Sequence, residues 1–129
     1  MKQILLALLF MYIPPFLYAD QKKSEETERL VTPTLWALAP DMFACNLTNI
    51  DNREHQVQVR IVSNGKVLLK SKILSLAPRH TTNQKVKGLP KGAPLYCEFS
   101  VEGDGEMYRG VAVLYHAPAG SDFVAVPAT

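Results

Sequence analysis

The chain is predicted to fold as an all-β domain, an antiparallel immunoglobulin-like sandwich of seven to eight strands with one disulfide. Three observations carry that prediction. Short segments rich in Val, Ile, Leu, Phe and Tyr recur from Leu30 onward, separated by Pro, Gly, Asn and Asp, and few runs hold a helical period. The segment His55-Gln-Val-Gln-Val-Arg-Ile alternates so that Val57, Val59 and Ile61 face one way and Gln56, Gln58 and Arg60 the other. Two cysteines sit in segments of the same alternating kind, an even count that suits a disulfide.

Taken in order, the chain opens with Lys2, the apolar stretch ILLALLFMYIPPFL and Leu17-Tyr18-Ala19, the layout of a secretory signal peptide over residues 1–19, cleaved after Ala19. Pro14-Pro15 would interrupt a helix long enough to span a bilayer, so a retained anchor is the lesser reading. Residues 20–29 are nearly all polar or charged and read as a flexible lead-in. Residues 30–129 then form one domain, since about 110 residues after cleavage suffice for one core but hardly two.

Strands are expected near Thr34 to Leu38, Met42 to Thr48, His55 to Val62, Lys66 to Leu74, Thr81 to Val86, Leu95 to Val101 and Tyr108 to Tyr115, with a short last one near Phe123 to Val126. In Lys66 to Leu74, Val67, Leu69 and Ile73 form one face and Lys66, Lys70 and Lys72 the other, and Leu68 breaks the polar row. A two-residue Asn64-Gly65 turn would set Val59 opposite Lys70 and mix core with solvent. A three-residue loop Ser63-Asn64-Gly65, with Gly65 left-handed, is therefore expected to pair Ile61 with Val67 and Val59 with Leu69. Gly103-Asp104-Gly105 repeats the small-Asx-Gly form and is expected to turn likewise. Tyr108 to Tyr115 is apolar on both faces, as a central strand is. The closing SDFVAVPAT is expected to complete its own sheet rather than add to a neighbour's edge.

Cys45 shares a strand face with Phe43 and Leu47, and Cys97 one with Leu95, Phe99 and Val101, so both sulfurs point inward. In a chain sent to an oxidising compartment, a structural Cys45–Cys97 disulfide follows. A metal site would want further ligands at suitable spacing, and a redox pair a Cys-x-x-Cys turn; the sequence has neither.

The run CNLTN, the alternating strand after it, Leu76-Ala77-Pro78, YCEFSVEG, Arg109-Gly110 and the closing AVPA together resemble a loose group of small exported bacterial two-cysteine β-sandwich proteins. The resemblance covers nearly all of the chain after the signal peptide. It implies the sandwich and export, and brings no assigned activity. Unlike antibody-type domains, the sequence has no tryptophan between the cysteines; Trp36 lies ahead of Cys45.

For chemistry the sequence offers little. His55, His80 and His116 stand far apart without metal-ligand spacing; a periplasmic copper site built by these histidines converging with Met42 or Met107 is the rival reading. There is no Gly-x-Ser-x-Gly, no phosphate loop and no carboxylate pair suggesting acid and base roles, so no enzyme activity and no cofactor are expected. Asn46-Leu47-Thr48 matches a glycosylation sequon, read here as polar residues finishing a strand. Residues 53–91 hold nine Lys or Arg against Glu54 alone, a local charge of +8, and both flanks are acidic. Arg60, Lys66, Lys70 and Lys72 form a candidate anion-binding ledge. The stronger reading is ordinary cross-strand pairing with Glu98 and Glu102, should Leu95 to Val101 lie beside His55 to Val62.

The function expected is that of an exported, periplasmic or extracellular, non-catalytic module with a binding or structural role. Its partner is an unknown protein or glycan; no nucleic acid, no membrane span after cleavage and a monomer are expected.

Overall fold

A computed structural model of the chain describes residues 26–116 and 123–129. The expected signal peptide, residues 20–25 of the lead-in and residues 117–122 lie outside that range.

Among the described residues ten strands form: β1 (Thr27–Val31), β2 (Leu35–Ala37), β3 (Met42–Asn49), β4 (His55–Ser63), β5 (Lys66–Lys70), β6 (Leu74–Leu76), β7 (Thr81–Lys87), β8 (Ala93–Glu102), β9 (Tyr108–Tyr115) and β10 (Phe123–Pro127). They build two antiparallel sheets. One runs β1-β8-β4-β5, with β2 also on β8 and β6 also on β4; the other runs β10-β9-β3-β7. The sandwich expected from the alternation is therefore present, with its one disulfide.

The core is the set of inward residues the alternation picks out. Val57, Val59 and Ile61 of β4 meet Phe43, Cys45 and Leu47 of β3, all at most 1% exposed. Apolar burial of this kind supplies the main favourable term of folding. As expected, β9 is central in its sheet, between β10 and β3, and β10 completes that sheet within its own chain. At Gly110 the backbone of β9 passes so close to Phe99 of the facing sheet that a Cβ would lie 2.7 Å from the Phe99 ring, which is why no side chain stands there.

Several local expectations are corrected. Thr27 to Arg29, expected within a flexible lead-in, belong to a strand: Thr27 to Val31 pairs with Glu102 to Glu98 of β8, held by backbone hydrogen bonds to the sheet edge and by Leu30 packed on the core. The expected strand Lys66 to Leu74 divides into β5 and β6. Between them Ser71 takes over the ladder: its Oγ accepts from the Val59 N–H at 2.9 Å, and its own N–H donates to the Val59 carbonyl at 2.8 Å.

The hairpin is also not the three-residue loop. Ser63 pairs with Lys66 across a two-residue turn in which Asn64 and Gly65 have φ of 48° and 77°, the signature of a tight turn that follows strand twist. The clash of faces such a turn would cause is relieved by a bulge. Val62 pairs with Val67, Ile61 with Leu69 and Arg60 with Lys70, so Leu68 is the extra residue and Leu69 returns to the core side. Val67 and Ile73, expected on the core face, are exposed instead. The second small-Asx-Gly segment is no hairpin: Gly103 is left-handed (φ 82°), and Asp104 caps a 3-10 turn over Gly105–Met107, accepting from the Glu106 N–H, as the chain passes from one sheet to the other.

Candidate functional site

Cys45 and Cys97 join β3 to β8, hence one sheet to the other, with S–S 2.02 Å and Cα–Cα 5.7 Å. Both are fully buried and no described cysteine is free. A bond sealed in this way from solvent thiols is structural rather than reactive.

The ledge does not form as one surface. Arg60 donates from Nη1 to Glu98 Oε1 at 3.0 Å on the neighbouring strand β8, and Arg29 flanks the same carboxylate at 3.7 Å. That is the cross-strand pairing expected with Glu98; Glu102 instead faces His55. Lys70 lies opposite Arg60 on the outer face, whereas Lys66 lies opposite Ser63, which shares its side with Ile61. The bulge at Leu68 thus places Lys66 and Lys70 on opposite faces. Lys72 falls in the link between β5 and β6, where its carbonyl accepts from Ser71 Oγ.

The three histidines are dispersed. His55 and His80 lie at the end of the sandwich where β3 finishes, and His116 lies where β3 begins, about 23 Å away for an eight-residue strand. His80 Nδ1 donates to the Pro78 carbonyl at 2.9 Å, and His116 Nδ1 sits 2.9 Å from Asp41 Oδ2. Among the described residues no group of three His, Cys, Asp or Glu could hold a metal ion.

His55 is the most elaborately held. It is buried, with Nε2 2.7 Å from Asp51 Oδ2, Nδ1 3.5 Å from Glu102 Oε1, and its ring edge-on to Tyr108 at 5.8 Å. The Tyr108 hydroxyl donates to the Glu102 carbonyl. Burial, then the nearby charges of Glu102 and Asp51, push the Tyr108 phenol up to about 12. The hydrogen bond from His55, then one from the Asn52 backbone, hold the Asp51 carboxyl below its ordinary 3.8. Because the folded value is depressed, this contribution to stability is complete above the unfolded value and is lost as pH falls through the folded one. Asp51→Asn is therefore expected to be less stable than the parent at neutral pH, with the gap closing as pH drops below 3.8; denaturant midpoints across that range check it, and a gap independent of pH would refute the assignment.

An open groove of about 590 Å³ lies between β1, the 3-10 turn and β9. Its polar groups are already used within the fold. Glu28 accepts from the Gly105 N–H at 2.8 Å, Asp104 caps the turn, and Arg109 donates to the Tyr108 and Glu106 carbonyls. No buried side-chain nitrogen or oxygen among the described residues lacks a partner.

What the sequence reading missed is the end of the sandwich where β3 begins. Trp36, Leu38, Leu89, Tyr115 and Phe123 are all exposed there. Leu38 bridges to Leu89, the Trp36 indole lies over Gly92, and one cross-strand row runs Lys87, Met42, Tyr115, Phe123. Trp36 lies within β2 and Leu38 just after it, Leu89 follows β7, Tyr115 closes β9 and Phe123 opens β10, so the only signal would have been the strand directions.

Fold and surfaces together define a two-sheet, disulfide-bonded β-sandwich whose exposed apolar side chains concentrate at one end. No family model and no curated protein matches the sequence. Among solved structures the fold is similar to that titled "Crystal Structure of Thermotoga maritima 1070", with a TM-score of 0.55 and 7% identity, over 78% of this chain and 91% of that one. At that identity the likeness shows the fold.

Proposed function

We propose that the chain is an exported, non-catalytic β-sandwich module of a bacterial envelope or secretion, periplasmic or extracellular, that binds through its apolar end. Export rests on one observation, the Cys45–Cys97 bond buried between the sheets, because such a cross-link forms and persists in oxidising compartments. The signal-peptide layout of residues 1–19 and the resemblance to exported two-cysteine sandwiches support the same compartment. A binding role rests on the large apolar groups exposed at one end of the sandwich, Trp36 on one sheet and Phe123 on the other, since concentrations of exposed apolar side chains mark interaction sites. No observation favours the copper reading.

The test is cell fractionation followed by intact-mass measurement. Expected are a mature chain beginning at Asp20 in the exported fraction and a mass two hydrogens below that of the reduced chain. A full-length protein retained in the cytoplasm with both thiols free would overturn the proposal.

A further inference from the structure

We infer that the apolar end docks on an anionic lipid surface. This names the partner within the binding reading above and rests on it.

Charge is segregated along the long axis of the sandwich. Among the described residues, the end where β3 finishes carries Glu26, Glu28, Asp51, Glu54, Glu102, Asp104 and Glu106 against Arg53, Arg79 and Arg109. The opposite end carries Lys66, Lys87 and Lys91 against Asp41 alone, and Asp41 is occupied by His116. The same basic end holds the exposed Trp36 (61%), Leu38, Leu89, Tyr115 and Phe123 (68%). Trp36 lies on the outer side of one sheet and Tyr115 and Phe123 on that of the other, and the Leu38–Leu89 bridge joins the segments that follow β2 and β7 at the same end. The Gly92 N–H donates to the Leu89 carbonyl at 2.9 Å, and the Gly88 N–H to the Asp41 carbonyl at 2.8 Å, which places Lys87 and Lys91 beside the leucines.

Three features of this end select the occupant. Trp and Tyr beside aliphatic residues match the boundary between headgroups and acyl chains, where one part of the ring is apolar and the other wet. Flanking lysines lay their stems along apolar surface and keep their ammonium groups in the headgroup layer. The charge gradient turns the basic end toward a negative surface and the acidic end away from it. A second copy matches less well, because it would bring Lys66, Lys87 and Lys91 of the two copies together.

Trp36 is the only tryptophan in the chain, so it reports on this end directly. The exported, disulfide-bonded protein is mixed with vesicles of phosphatidylcholine containing phosphatidylglycerol, and with phosphatidylcholine alone. Trp36 emission should shift to the blue and the protein should sediment with the anionic vesicles only, less so as salt rises. Reversing the two exposed lysines as K87E/K91E should lower partitioning at least tenfold. Ile50→Ser, an exposed change at the opposite end, should leave it unaltered.

The inference is overturned by any of four results: no spectral shift, equal binding to both vesicle types, binding that K87E/K91E leaves intact, or a shift on concentrating the protein without lipid, which would identify a second copy. Fractionation and intact mass report on export and the disulfide whatever the lipid result; a shift on self-association without lipid would sink the lipid inference while leaving the binding reading, and no shift under either condition would sink both.

Discussion

Replacing Cys45 and Cys97 together with alanine is expected to lower the unfolding free energy by about 4 kcal/mol, the value for opening a loop of 52 residues in the chain-entropy account. A domain of this size has roughly 5–15 kcal/mol in total, so a large share would go with the one bond. Equilibrium denaturation would show a lower midpoint together with a steeper slope, since the unfolded chain without its cross-link expands and exposes more surface. The position of the bond explains why the effect should be near full size. It ties β3 of one sheet to β8 of the other, with both half-cystines wholly buried. A loss below about 1 kcal/mol would mean that the unfolded state keeps the two strands together without the bond.

The second large effect is expected at Asn49, a polar residue with no exposed surface. Its Nδ2 donates to the Arg53 carbonyl at 2.8 Å and the Leu76 carbonyl at 2.9 Å, and its Oδ1 accepts from the Asp51 N–H at 2.9 Å. Its backbone N–H donates to the His80 carbonyl and its carbonyl accepts from the Arg79 N–H, so one side chain and its peptide groups hold three chain segments at the end of β3. Asn49→Asp keeps the shape, removes both donors and turns an acceptor toward two carbonyls. Each buried group left unpaired forfeits about 1–3 kcal/mol, so a loss of about 3 kcal/mol or more is expected at neutral pH. Acidification should return part of it, because the protonated carboxyl recovers one donor. The same denaturation measurements at neutral and acid pH test both statements, and a loss under about 1 kcal/mol would refute them.

Asn49 also shows where sequence reading stops. In the sequence it reads as the residue after the expected strand Met42 to Thr48, and only the packing of the 50–54 segment and the end of β6 against it makes it a buried tie. The alternation in HQVQVRI, FACNLTN and LYCEFSV was legible because strand faces repeat every two residues, a local property. Facing cysteines and the Arg60–Glu98 pair followed from the same faces, the latter once β4 and β8 were set side by side. Thr27 to Arg29 was not legible: those side chains are polar and exposed, and the order of this stretch comes from backbone bonds to β8 and from Leu30, which packs on the core. Nor was Leu68, whose apolar side chain broke the polar row without saying that the strand bulges there.

The candidate binding surfaces divide in the same way. Arg60, Lys66, Lys70 and Lys72 looked like one ledge on an unbroken strand, but the extra residue Leu68 turns Lys66 away from the Arg60–Lys70 pair and Lys72 falls in the link between β5 and β6. Trp36, Leu38, Leu89, Tyr115 and Phe123 are far apart in the chain and have no common pattern, yet strand directions bring all five to one end. Composition and alternation by themselves determined that this protein is a β-sandwich whose two sulfurs point into its core, since those properties are set within a few residues. Register, bulges and the gathering of apolar and basic groups at one end were decided only in the tertiary structure. They depend on which strands lie side by side, a choice made by the sum of contacts between residues distant in the chain.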